Sequence, residues 1–199
     1  MDIAQQQDLP VATGTLWRAA IALMAITLGL FGFAYSLLSA GIDGALFPYH
    51  ANGSIVIHDG KPVASELVGQ PFAAPGYFHP RPSAAKYDPM NAAGSNLART
   101  NPDLRKQVEG LRGEIARRDG IAPTQVADDL LTQSGSGVDP DISVQAAMQQ
   151  IARVARARGV PEAEVRRLLD ANTSAPQFGI FGPARVNVVR LNLALDARR

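Results

Sequence analysis

The alternation of apolar and polar positions divides the chain sharply near its start. A polar leader, MDIAQQQDLPVATGT, gives way to AAIALMAITLGLFGFAYSLLSA, Ala19 to Ala40, where no charged side chain interrupts the apolar run. About 20 such residues let an α-helix cross the hydrocarbon core of a bilayer. The absence of a polar face argues against a buried core helix. A cleavable leader would carry a shorter apolar stretch, about 7–15 residues, with a small-x-small site behind it. Here Leu38-Ser39-Ala40 places a leucine at that site. The pattern predicts a leader at 1–18, an uncleaved membrane-spanning helix at 19–40 and one separate domain at 41–199.

Past the span, GIDGALFPYHANG reads as a connector and SIVIHDGKPVASELVG as a β-hairpin turning at Asp59-Gly60, a strong two-residue turn signal. Residues 70–100 are rich in Pro, Gly, Ser and Asn and predict a long irregular region; such loops in compact domains usually bind something or are pinned. Asn101, Pro102 and Asp103 form a helix start, Leu104, Val108, Leu111 and Ile115 share one face, and Gly120 ends the helix. VADDLLTQ fits either a short helix or a strand, and a short strand or extended segment is the reading preferred. Ser143 then caps a helix running to Arg158, with Met148, Ile151 and Ala155 inward and Arg153, Arg156 and Arg158 suiting the negative end of its dipole. Pro161 opens another helix that buries Val165, Leu168 and Leu169. In VNVVRLNLALD, Val189, Leu191, Leu193 and Leu195 alternate with Arg190, Asn192 and Ala194, the period of a half-buried strand. The predicted fold class is α+β: one N-terminal transmembrane helix followed by one mixed α/β extracytoplasmic domain.

Charge and composition narrow the chemistry. With 19 basic and 18 acidic residues the chain is nearly neutral, which argues against a nucleic-acid partner. His50, His58 and His79 lack metal-ligand spacing and there is no cysteine to help them, so no metal site is assigned. No nucleophile elbow occurs, and no catalytic residue is assigned. The stretch SGSGVDPDIS, Ser134 to Ser143, lacks the lysine and following hydroxyl of a phosphate-binding loop. Asp139 and Asp141 are too few for a calcium loop of the EF-hand type, and Pro140 interrupts them. The plainer reading is a glycine turn into a helix start, with an aspartate bonding nearby amides. Tyr77, Phe78, Arg81, Ser95, Asn96 and Asp139 are candidate partner contacts, since aromatic, arginine and amide side chains anchor interfaces. The alternative is that Tyr77 and Phe78 fill the domain's own core while Arg81 bonds loop carbonyls.

Six tracts occur in order: ANGSIV, SELVGQPF, GYFHPRPSA, AAGSNLARTNPDL, SGSGVDPDISVQAA with QIARVARARG, and VNVVRLNLALD. Together they resemble the C subunit of the Kdp potassium-transporting P-type ATPase, from the span to the last predicted strand. Pro80, Ala92, Ala93 and Asp141 depart from that family's usual pattern. The resemblance implies a single-pass subunit of the bacterial inner membrane with a periplasmic domain. It would not be an enzyme on its own, and it would hold no cofactor, ATP and potassium being handled by the complex. Its partners would be a channel-like potassium-translocating subunit, an ATP-hydrolysing subunit and a small helical one. Two roles follow: a cap and scaffold at the external ion entrance, or a catalytic chaperone that raises ATP affinity, with Ser134, Gly135, Ser136 and Gly137 as the candidate nucleotide contacts.

Arg18 precedes the span and the next basic residue is Lys61, so the positive-inside rule predicts a cytoplasmic N-terminus and an external domain. A reporter active only outside the cytoplasm, fused to the C-terminus, is expected to be active. A well-expressed but silent fusion reverses the orientation.

Overall fold

The structure is a computed structural model that describes residues 13–58 and 60–198, with side chains from Leu16 onward. It divides into two compact units, Met1–Asn52 and Gly53–Arg199. Residues 1–12 of the leader and the turn residue Asp59 lie outside the described residues.

The first unit is a helix built as α1 (Thr13–Thr27), a π-helical stretch (Leu28–Tyr35) and α2 (Ser36–Leu46), followed by one turn, α3 (Pro48–Ala51). Leu16–Leu46 is long and apolar enough to cross a membrane. Its 31 residues rise about 46 Å, more than the roughly 30 Å of hydrocarbon, so the helix outruns the uncharged stretch at both ends. The Ser36 hydroxyl donates to the Phe31 carbonyl at 3.2 Å, which satisfies a polar group that lipid could not.

The second unit opens with the expected hairpin. β1 (Ile55–His58) pairs antiparallel with β2 (Lys61–Ser65), His58 facing Lys61 across the turn. The Pro- and Gly-rich region that follows is irregular except for a 3₁₀ turn at Pro89–Asn91 capped by Asp88. α4 (Pro102–Asp119) starts where Asn101 accepts from the Asp103 amide at 2.8 Å and stops at Gly120, whose φ is 71°. Its apolar stripe deepens along the helix: Leu104, Val108 and Leu111 are half-buried, Ile115 fully.

Three expectations are corrected. VADDLLTQ is not extended: 3₁₀ turns at Pro123–Gln125 and Asp128–Leu130 place Val126, Ala127, Leu130 and Leu131 in the core. That spacing is a helical period, and it overrides the weak strand preference. The helix expected from Ser143 to Arg158 is broken into α5 (Val144–Met148) and α6 (Ile151–Arg158). The break falls where the Gln150 amide makes a tight bond to the Ala147 carbonyl, and it turns Met148 outward, 38% exposed, while Ile151 and Ala155 stay buried. Finally, the terminal strand is a helix. β5 (Arg185–Asn187) is short, and Asn187 then caps α8 (Val188–Asp196) by accepting from the Arg190 amide. Val188, Leu191, Asn192 and Leu195 are buried at i, i+3, i+4 and i+7, a helix face that the overlapping alternation concealed.

α7 (Glu162–Ala171) runs as expected and buries Val165, Leu168 and Leu169. β3 (Asp141–Ser143), β5 and β4 (Thr173–Ser174) form an antiparallel sheet in the order β3-β5-β4. Val186 at its centre opposes both Ile142 and Thr173. The helices bury this sheet in one core containing Leu130, Val154, Leu169 and Leu191. The architecture is α+β, behind one candidate membrane span among the described residues.

Ser143 joins sheet to helix. Its hydroxyl accepts from the Ala146 amide at 3.0 Å and donates to Asp129, which also accepts from the Ser143 amide. Replacing Ser143 with Ala should cost on the order of 1 kcal/mol, read by urea unfolding in detergent. An unchanged midpoint would contradict the cap.

Candidate functional site

Residues 75–79 run through the domain without regular structure, yet Phe78 is fully buried. Buried peptide groups need hydrogen-bond partners, and here side chains provide them. Asn192 on α8 accepts from the Phe78 amide at 2.8 Å and donates to the Phe78 carbonyl at 2.9 Å. Gln150 does the same for His79, at 2.8 and 3.1 Å. Arg153 donates to the Pro75 and Tyr77 carbonyls at 2.5 and 2.8 Å, and Arg158 to the Gly76 carbonyl at 2.6 Å. Because the helix breaks at Gln150, Arg153 falls in the first turn of α6 and does not suit its dipole, whereas Arg158 lies in the last turn as expected. The buried Arg153 guanidinium is neutralised by Asp119 at 2.7 Å, which also binds Arg118 at 2.8 Å. Tyr77 donates to Asp196 at 2.9 Å, and the Arg158 guanidinium lies 4.9 Å above its ring.

Arg81 continues the pinned segment in another direction. It binds Asp139 at 3.1 Å and donates to the Thr132 and Gln133 carbonyls. The contacts of Tyr77, Phe78 and Arg81 are thus those of a self-pinned loop. Asp139 accepts from the Asp141 amide at 3.0 Å, an aspartate bonding a nearby amide. Burial pushes the Asp141 carboxyl up, against the pull of Arg185.

The glycine tract lies beside this pair. Ser134 accepts from the Gly137 amide at 2.8 Å, and Ser136 from the Val138 amide at 3.2 Å. Gly137 has φ 70°, and a Cβ there would sit 2.5 Å from the Ala93 carbonyl oxygen and 2.8 Å from Ala85. A Cβ on Gly94 would in turn meet the Gly135 carbonyl at 3.2 Å. Two glycine-bearing strands of backbone thus lie against each other. Ser83 ties the seat shut by donating to the Gly137 carbonyl while accepting from the Tyr87 amide. Lys86, Tyr87 and Asn96 hold left-handed φ values of 54°, 61° and 53°, uncommon for side chains of their size. Ser95 is half-buried and Asn96 exposed. Met90, at the tip of the 3₁₀ turn, is 88% exposed.

The structure therefore brings Arg81, Asp139 and the 134–137 tract together under residues 83–96. It sends Tyr77 and Phe78 toward α6 and α8. Sequence reasoning missed Gln150, Arg153, Asn192, Asp119 and Met90. The available signal was an amide or charge on otherwise apolar helix faces, as in LNLAL. Among the described residues no group of three His, Asp or Glu side chains is placed to share a metal ion.

The class defined by this architecture is a small α+β domain carried behind one apolar helix of membrane-spanning length, with polar side chains spent on holding its own loops. The chain matches the family model described as K+-transporting ATPase, c chain, over residues 17–197, and it belongs to that family. It is 54% identical over 189 residues to a potassium-transporting ATPase KdpC subunit of Xanthomonas campestris pv. campestris, covering 95% of this chain and 90% of that one. The KdpC subunit of Sorangium cellulosum is 49% identical, with 92% and 97% covered, and that of Shewanella putrefaciens 46%, with 90% and 88% covered.

His79 reports on the pinned network. Its Nδ1 lies 3.0 Å from Arg118 and its Nε2 3.4 Å from the Ala74 carbonyl, which fits a neutral ring donating from Nε2. Burial, then the charges of Arg118 and Arg153, lower its pKa from 6.5 to about 4. The unfolded chain thus takes up this proton first, and stability falls as pH drops from 6.5 to about 4. Burial alone would raise the Asp119 carboxyl, but the bonds and charges of Arg118 and Arg153 hold it below its ordinary value. Its contribution is present above the ordinary carboxylate value and is lost as pH falls through the depressed one. Urea unfolding across pH should show both limbs, and His79→Gln should flatten only the upper one. An unchanged upper limb would place its origin elsewhere.

Proposed function

We propose that this chain is a non-catalytic subunit of an ATP-driven potassium uptake complex. In this reading its domain lies outside the cytoplasm, docks on the channel-like potassium-translocating subunit, and stabilises the assembly while capping the external ion entrance. Membership of the family carries the link to potassium transport. One apolar helix cannot enclose an ion path or build a filter, so the conducting and ATP-hydrolysing parts belong to partner subunits.

The observation that carries the docking role is the glycine seat. Residues 83–94 are pressed onto the 134–137 tract closely enough to exclude a Cβ at Gly137, with successive left-handed residues at Lys86 and Tyr87. Strain of this kind persists where the surrounding structure over-determines it, and it accompanies function. The result is a segment of fixed shape presenting Met90, Asn91 and Asn96 to solvent. A preformed surface loses less entropy on binding than a flexible one.

The same seat weighs against the chaperone role. A phosphate cradle needs free backbone amides around the ligand, whereas the Gly137 and Val138 amides are taken by Ser134 and Ser136. Arg18 before the span and the lack of a basic residue before Lys61 also favour an external tract, away from cytoplasmic ATP.

Photo-crosslinkers at Met90 and Asn96, in the intact complex in native membranes, are expected to capture external loops of the potassium-translocating subunit. Capture of the ATP-hydrolysing subunit's nucleotide domain would overturn this reading and restore the chaperone.

A further inference from the structure

Between α7 and β5 the chain runs ANTSAPQFGIFGPA, residues 171–184, without a charged side chain. The segment closes as a hairpin off β4 and β5, and its tip exposes Phe178 (84%), Ile180 (76%) and Phe181 (61%). Solitary exposed apolar residues are ordinary, but three large ones clustered on one loop tip mark a contact. Phe178 also holds φ 55°, a costly conformation for an aromatic residue that no burial within the domain offsets.

The chemistry of the tip selects its occupant. Gln177 and Phe181 exchange both backbone hydrogen bonds at 2.9 Å, the Gly179 amide bonds Pro176, and the Ile180 amide bonds Gln177. Pro176 and Pro183 carry no amide hydrogen. The tip therefore presents apolar side chains on a backbone whose amides are largely satisfied within the loop, the condition for entering a medium without water. Protein interfaces enrich arginine beside their aromatic residues, whereas residues 171–184 carry no charged side chain.

The tether to the apolar helix is short. Only six residues, 47–52, separate the end of α2 at Leu46 from the start of the domain at Gly53. Fully extended they span about 20 Å. Gly53 and Ser54 are bonded to Ser65 and Glu66. Glu66 in turn binds Asn187, the last residue of β5 behind the exposed hairpin, and Arg190 in the first turn of α8. The loop thus grows from the part of the domain where the tether enters.

We propose that residues 176–182 form a membrane-contacting loop, which inserts Phe178, Ile180 and Phe181 into the interfacial region of the lipid and gives the domain a second hold beside its helix. This rests on the helix being a membrane anchor and not on the docking face, so the two readings fail separately.

The chain has no cysteine, so Ile180→Cys in the full chain provides a single labelling site. The labelled chain would be reconstituted in phosphatidylcholine vesicles with an environment-sensitive fluorophore at that site. Lys106→Cys, on the exposed side of α4, is the reference. The expected result at position 180 is a blue-shifted emission, quenching by lipid bearing a nitroxide near its headgroup, and a several-fold loss of iodide quenching relative to position 106. Phe178→Cys should behave alike, which guards against a local defect in either variant. Iodide quenching equal to that at position 106, without lipid quenching, would overturn the proposal. So would shielding that arises only on adding the other subunits, or only at high protein density without lipid quenching, which would assign the loop to a protein partner or a second copy.

Discussion

The Arg153 guanidinium is the group on which the domain depends. It is buried, its charge is met by Asp119, and its remaining donors reach the carbonyls of Pro75 and Tyr77 and the side chain of Gln150. A buried charge is tolerated only when paired and hydrogen-bonded, and an irregular buried backbone only when its peptide groups find partners. Each need answers the other. The loop supplies carbonyls that the arginine requires, and the arginine supplies donors that no neighbouring strand provides.

This arrangement couples elements that are distant in sequence. Asp119 ends α4, Arg153 lies on α6 and Asn192 on α8; Arg153 and Asn192 bond residues 75–79 directly, and Asp119 holds Arg153. Pairing the loop with side chains in place of a strand fixes its path while leaving its flank free of a sheet edge that could recruit other chains. From His79 the chain proceeds to Arg81 and on to the glycine seat, so the shape offered by residues 83–96 is inherited from the core. Breaking a buried pair by removing one partner typically costs about 3–5 kcal/mol, so a change at Asp119 would be felt at a surface that it does not touch.

What was legible in the sequence was local or collective. The Asn-Pro-Asp start and glycine stop of α4, the apolar face of α7 and the His58–Lys61 hairpin follow from short-range rules. The ordered tracts were specific enough to indicate the family. The terminal helix was misread because LNLAL satisfies two periods, and only Asn187, as a cap, distinguishes them. The break at Gln150 was invisible because that side chain is engaged by His79, 71 residues away. Asn192 serves Phe78 from 114 residues away, and although LNLAL shows a polar residue on an apolar helix face, no local pattern names its partner. The exposed loop at 176–182 raises no expectation from sequence for a related reason: QFGIF has the composition of a core segment, and only the fold leaves it outside.

The central claim is that side chains hold residues 75–79 as firmly as a sheet would hold a strand. Native-state hydrogen exchange of the Phe78 and His79 amides, in the full chain, tests it most directly. The account predicts that both exchange only with global unfolding, with the same protection as the Val154 and Leu169 amides in the helices. Fast exchange of Phe78 and His79, at rates typical of a loop while α6 and α7 stay protected, would contradict it.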